Sequence, residues 1–122
     1  MFKNCTNLII APVLYFKNYN SVNDWCYAYM FQNCTSLRTP PQFQGKLNSV
    51  GTGACACMFQ GCTSLTSAPQ LLAKNIGGAC YDHMFQNCTS LRTPPSFLPA
   101  TTIQRECYWG MFEGCTSLTS AP

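Results

Sequence analysis

The chain has 122 residues, of which 47% are hydrophobic and 9% charged, and its seven Lys and Arg against four Asp and Glu give a net charge of +3. This composition excludes a disordered chain, and basic residues spread without a run argue against nucleic acid as a main partner. No stretch reaches the roughly 18 apolar residues of a membrane span, and the N-terminus lacks the regions of a signal peptide, so we expect no membrane insertion.

Five Met-Phe pairs open five copies of one repeat, which start at residues 1, 30, 58, 84 and 111 and are therefore 29, 28, 26 and 27 residues apart. MFQNCTSLRTPP stands at 30–41 and again at 84–95, and GCTSLTSAP stands at 61–69 and again at 114–122. Periods of this length are typical of proteins whose repeats stack on one another. The sequence predicts that 1–122 is a single, uncapped segment of a longer array, in which Met1 fills an internal position of the repeat.

The residues before each Met predict a short helix. Val or Ile precedes the Met by eight residues, and Cys precedes it by four in three of the four copies that include this position. Steps of four place these side chains on one helical face, so we expect a helix of about ten residues. It should end three residues after the Met, where only Asn or Gly occurs, because these residues accept the left-handed conformation that closes a helix.

The segments CTSLRT and CTSLTS that follow predict one strand of about four residues per repeat, ended by a Pro that cannot donate to a ladder. The Leu of this strand should point inward and its two neighbours outward. The outward residues form a candidate ligand-binding surface, the arginine face: Ser36, Arg38, Ser64, Thr66, Ser90, Arg92, Ser117 and Thr119. The predicted fold class is an α/β leucine-rich-repeat solenoid, with one short parallel strand and one short helix in each repeat of 26–29 residues.

The segments MFQGCTSLTSAP (58–69) and MFEGCTSLTSAP (111–122) resemble the BspA-like, bacterial surface-antigen type of leucine-rich repeat, and the resemblance extends through all five copies. Two stretches depart from the pattern: 13–29 is longer and rich in aromatic residues, and 42–57 shifts its Cys. The resemblance implies adhesion at the surface of a bacterium or protist, or a role in a phage.

We therefore expect a non-enzymatic recognition module of a cell-surface or secreted protein, with a protein or glycan ligand on a host or cell surface. The alternative is a structural or receptor-contacting segment of a larger assembly, such as a phage tail appendage or a surface filament in a virion. The uncapped ends also predict self-association. The signal that discriminates the two functions is the complete gene, through its anchoring modules or its virion neighbours.

Five strands expose only about 300 Å², less than the roughly 800 Å² per partner of a standard interface. Exposed aromatic residues are the natural source of further contact area, because Tyr and Trp anchor many interfaces. The candidates for such aromatic contacts are Tyr15, Tyr19, Trp25 and Trp109.

Ten cysteines accompany a single histidine, His83, and the only close cysteine pair is Cys55 and Cys57. Zinc sites use paired ligands at other spacings, so we expect no metal and no cofactor. Ser and Thr recur in every copy, which marks scaffold and not a nucleophile, so we expect no catalytic residue. Most cysteines should be reduced and buried, because they follow the periodicity of the core, while Cys55 and Cys57 lie out of register.

Overall fold

A computed structural model describes residues 1–16, 21–45 and 47–122 and contains, within them, five short strands and no helix. Strand β1 (Leu14–Phe16) pairs in parallel with β3 (Phe43–Gly45). Strands β2 (Ser21–Val22), β4 (Ser49–Val50) and β5 (Asn75–Ile76) form a second parallel sheet in that order. Paired residues are equivalent positions of consecutive repeats, so the repeats lie side by side in parallel.

Four ten-residue turn segments, 24–33, 52–61, 78–87 and 105–114, occupy the places of the predicted helices. Every fourth residue in them has a positive φ, as at Trp25, Tyr29 and Asn33, with values of 57°, 59° and 59°. An α-helix of L-residues requires negative φ throughout. The prediction of one helix per repeat is therefore wrong.

The backbone N–H groups show what replaces the helix. The Met30 N–H donates to the Tyr27 carbonyl three residues earlier, at 3.2 Å, whereas the Tyr27 N–H donates to Ala54 in the next repeat, at 2.8 Å. Donors alternate between these two kinds of partner along each turn segment. Because this turn repeats every four residues, apolar side chains spaced by four face the core, as they would in a helix.

The left-handed conformation predicted for the Asn and Gly positions is confirmed at all five of them, although it closes no helix. Asn and Gly alternate for a packing reason. A Cβ on Gly61 would lie 2.5 Å from Asn33 Oδ1, and a Cβ on Gly114 would collide with Asn87 Oδ1. Each of these glycines thus leaves room for the asparagine of the preceding repeat.

The predicted strand at CTSLRT and CTSLTS is also wrong, because this part of the repeat makes only two isolated bridges, Ile10 with Thr39 and Ser67 with Thr93. Ala11 and Ala68 donate across these bridges at 3.0 and 2.9 Å. The equivalent residue of the second and fourth repeats is a proline, which has no N–H to donate. Together with the missing helices, these short strands overturn the α/β leucine-rich-repeat solenoid.

Equivalent side chains pack in columns that run through the whole stack. The Phe column consists of Phe2, Phe31, Phe59, Phe85 and Phe112, and its neighbouring rings are stacked at 5.4–5.7 Å with interplanar angles of 1–5°. Leu37, Leu65 and Leu91 are completely buried, which confirms the inward direction predicted for the Leu. These columns form one continuous apolar core.

Seven of the ten cysteines are buried and all ten are free thiols, so their prediction as core residues is confirmed for the majority. In the column that follows the Asn or Gly, each thiol donates to the Phe carbonyl of the preceding repeat, as from Cys62 Sγ to Phe31 at 3.1 Å. Burial raises the pKa of the Cys62 thiol to about 12. Cys55, although out of register, is buried against Cys80, and their hydrogen bond together with burial raises the pKa of Cys55.

Candidate binding surface

The arginine face is exposed where the sequence predicts it. Arg38 and Arg92 are exposed, as are Thr66 and Thr119, while the four serines of the face are half-buried. The backbone holds the arginines in place: the Arg38 N–H donates to Ile9 at 2.9 Å, and the Arg92 N–H donates to Thr66 at 3.0 Å. The face therefore follows from alternation about the buried Leu, even though the segment is not a regular strand.

The spacing of the repeats sets the distance between the two arginines. Successive rings of the Phe column are 5.5 and 5.4 Å apart between the second, third and fourth repeats. Arg38 and Arg92 are thus offset by about 11 Å along the stack, with Thr66 on the repeat between them. No position of the face holds an acidic residue, so its charge is positive.

A row of threonines beside this face was missed by the sequence reasoning. Every repeat has an exposed Thr directly after its Cys: Thr6, Thr35, Thr63, Thr89 and Thr116. The Thr63 hydroxyl donates to the Thr35 carbonyl at 3.5 Å, which orients it along the stack. The signal that could have revealed this row is the invariance of an exposed polar residue where the scaffold needs no particular side chain.

An open groove of about 420 Å³ also lies close to the arginine face in sequence. Its lining includes Thr39, Pro40, Pro41, Pro69 and Gln70, from the second and third repeats. The two repeats make no bridge here within the described residues, because Pro40 has no N–H to offer Ser67. The alternation of TPP with SAP in the sequence is the only local sign of this groove.

The predicted aromatic contacts are not gathered at the arginine face. Tyr15, Trp25 and Trp109 are 66%, 54% and 64% exposed. The Trp25 ring lies over Gly53, where any Cβ would collide with it, and the Trp109 ring contacts His83 edge-on at 5.2 Å. Tyr19 lies outside the described residues.

His83, the single histidine, is fixed by carboxylates on both sides. Its Nδ1 lies 2.7 Å from Asp82 Oδ1, and its Nε2 lies 3.5 Å from Glu113 Oε2 on the next repeat. Neither ring nitrogen is directed at a hydroxyl or thiol in these contacts. This arrangement ties the fourth repeat to the fifth.

Across the described ranges, no group of three His, Cys, Asp or Glu side chains is placed to hold a metal ion. The same ranges contain no helix long and apolar enough to cross a membrane. No protein-family model, curated protein or solved structure matches the chain. The likeness to BspA-like repeats thus stays a prediction that rests on the motif.

Proposed function

We propose that the chain is a non-enzymatic recognition module that binds an extended anionic glycan along its arginine face. The observation that carries this proposal is the pair of exposed arginines, two repeats apart, on a surface of hydroxyls without an acidic residue. Guanidinium groups form paired hydrogen bonds with carboxylates and sulfates, and hydroxyls add neutral bonds beside them. A place at a cell surface or in a secreted protein of the BspA-like type belongs to this proposal.

The regularity of the face favours a polymer over a folded protein as the ligand. Hydroxyl rows recur at the spacing of the Phe column, 5.4–5.7 Å, and a glycan chain presents similar groups at regular intervals. Each repeat then makes a similar contact with successive sugars. Weak contacts linked in this way gain affinity through effective concentration, which offsets the small area of the face.

The test compares the double variant Arg38→Thr, Arg92→Thr with the original chain. Thr is the residue that the third and fifth repeats already carry at this position, so the free energy of unfolding should change by less than about 0.5 kcal/mol. Binding to a polyuronic acid, measured by calorimetry, should weaken at least about tenfold, because both charge-assisted contacts are lost. A neutral polysaccharide of similar length should bind both proteins weakly.

The matched control is Lys74→Thr, Arg105→Thr, which removes the same charge from two exposed positions outside the face. It should retain the affinity of the original chain. Equal losses in both double variants would show that net charge and not the face drives binding, and equal affinities in all three proteins would reject the site. A pull-down from host-surface extracts with the same variants tests a protein ligand.

The second candidate function is a structural segment of a larger assembly, such as a surface filament or a phage tail appendage. The observation that favours it is the apolar surface at the first repeat, where Met1, Ile9 and Ile10 are 94%, 55% and 65% exposed. Such side chains are normally covered by a neighbour in a repeat stack.

A further inference from the structure

The two end repeats carry surfaces that inner repeats bury. Phe31, Phe59 and Phe85 are completely buried between ring neighbours, whereas Phe2 and Phe112 have one ring neighbour each and are only partly buried. The same holds for the Leu column, which is half-buried only at Leu8 and Leu118.

Backbone groups at the two ends are complementary. Inside the stack, the Phe85 N–H donates to the Met111 carbonyl at 3.0 Å, and the equivalent bond recurs from repeat to repeat. In the part of the chain that the structure describes, the N–H groups of Phe112 and Gly114 have no backbone partner, and neither do the carbonyls of Met1 and Lys3. These are the donors and acceptors of one further step of the same pattern.

The residue after each Phe adds complementary charge. This column, the amide column, contains Lys3, Gln32, Gln60, Gln86 and Glu113. Each Gln amide donates to the next side chain, and the last bond runs from Gln86 Nε2 to Glu113 Oε2 at 3.0 Å. The column therefore has a cation at the first repeat and an anion at the last.

We propose that two copies of this chain associate head to tail, with 111–122 of one copy stacked on 1–12 of the other. Glu113 then faces Lys3 of the second copy, and the Phe112 ring covers Phe2. The Ala121 N–H faces the Ile10 carbonyl, as the Ala68 N–H already does with Thr93 inside the chain. Gly114 beside Asn4 repeats the step from Gly61 to Asn87.

The contact is heterologous, so it leaves one end of each copy free and generates linear chains instead of a closed dimer. It involves half of a repeat from each copy, which is small for a protein interface, so association is weak and reversible. The contact uses the ends of the stack and not the arginine face, and it is therefore independent of glycan binding.

Sedimentation velocity of the 122-residue chain under reducing conditions tests the proposal. The weight-average sedimentation coefficient should rise continuously with protein concentration, past the value of a dimer. The variant Glu113→Lys places like charges against each other and should weaken association at least about tenfold. The double variant Lys3→Glu, Glu113→Lys restores opposite charges and should restore association.

A mixture of the two single variants provides a stronger test, because each of them should be monomeric alone while the mixture associates. The matched control is Glu106→Lys, which makes the same charge change on the last repeat but outside 111–122, and it should associate like the original chain. A monomer at all concentrations, a species that stops at a dimer, or equal loss in Glu106→Lys overturns the proposal.

Discussion

Replacing Phe59 tests whether the stacked rings hold the repeats together. Phe59 is completely buried and contacts a ring on each side, at 5.5 and 5.4 Å. Phe112, at the end of the same column, has one ring neighbour at 5.7 Å and is half-buried. The two positions carry the same side chain in the same local sequence, so they differ mainly in their neighbours.

A buried Phe→Ala replacement costs 3–5 kcal/mol, from lost transfer energy and the cavity left behind, and ring pairs contribute about 0.5–1.5 kcal/mol each to contacts of this kind. We therefore expect Phe59→Ala to lower the free energy of unfolding by about 4 kcal/mol. Phe112→Ala should lower it by about 2 kcal/mol, because half of its contacts are missing from the start.

Urea denaturation followed by circular dichroism, at a low concentration of reduced protein, measures both values. Phe59→Leu is a second variant for the case in which the alanine variant does not fold, and it should cost more than Phe112→Leu because it removes two ring contacts instead of one. Equal losses at residues 59 and 112 would contradict a core built from stacked columns.

Two further changes test the backbone and the thiols. Ala68→Pro should lower the free energy of unfolding by about 1 kcal/mol in urea denaturation, because it removes the donor to Thr93, whereas Ala121→Pro, whose N–H has no backbone partner among the described residues, should change it by less than about 0.5 kcal/mol; equal effects would refute this reading of the prolines. The raised pKa of the Cys62 thiol stabilises the fold below its ordinary value of 9.0, and this stability should be lost as the pH rises toward about 12, since only the unfolded chain then ionises. Urea denaturation at successive pH values measures the slope, which should be smaller in Cys62→Ala, and an unchanged slope would exclude Cys62 as its source.

The sequence by itself determined the repeat boundaries and the direction of most side chains. Five copies in register identify the Phe, Leu and Cys columns, which the structure buries at the inner repeats. The restriction to Asn and Gly after each Phe correctly indicates a left-handed residue. Alternation about the Leu places Arg38 and Arg92 on the surface, because side-chain direction depends on local backbone geometry.

The tertiary structure decided between a helix and a series of turns, since a four-residue turn and an α-helix place apolar residues at nearly the same spacing. The turn wins because its alternate N–H groups bond to carbonyls in the next repeat, 25–27 residues away, as from Tyr27 to Ala54 and from Cys55 to Cys80. These bonds offset the cost of positive φ at residues such as Tyr29 and His83, which local propensity disfavours.

The groove beside Pro40 depends on the tertiary structure for the same reason. A proline is visible in the sequence, but the carbonyl that it leaves without a donor belongs to another repeat and becomes its neighbour only when the repeats stack. Likewise, Val22, Val50 and Ile76, predicted on a helix, end strands β2, β4 and β5 because their partners are each other. Local sequence determines which side chains face inward, whereas contacts between repeats determine the backbone that presents them.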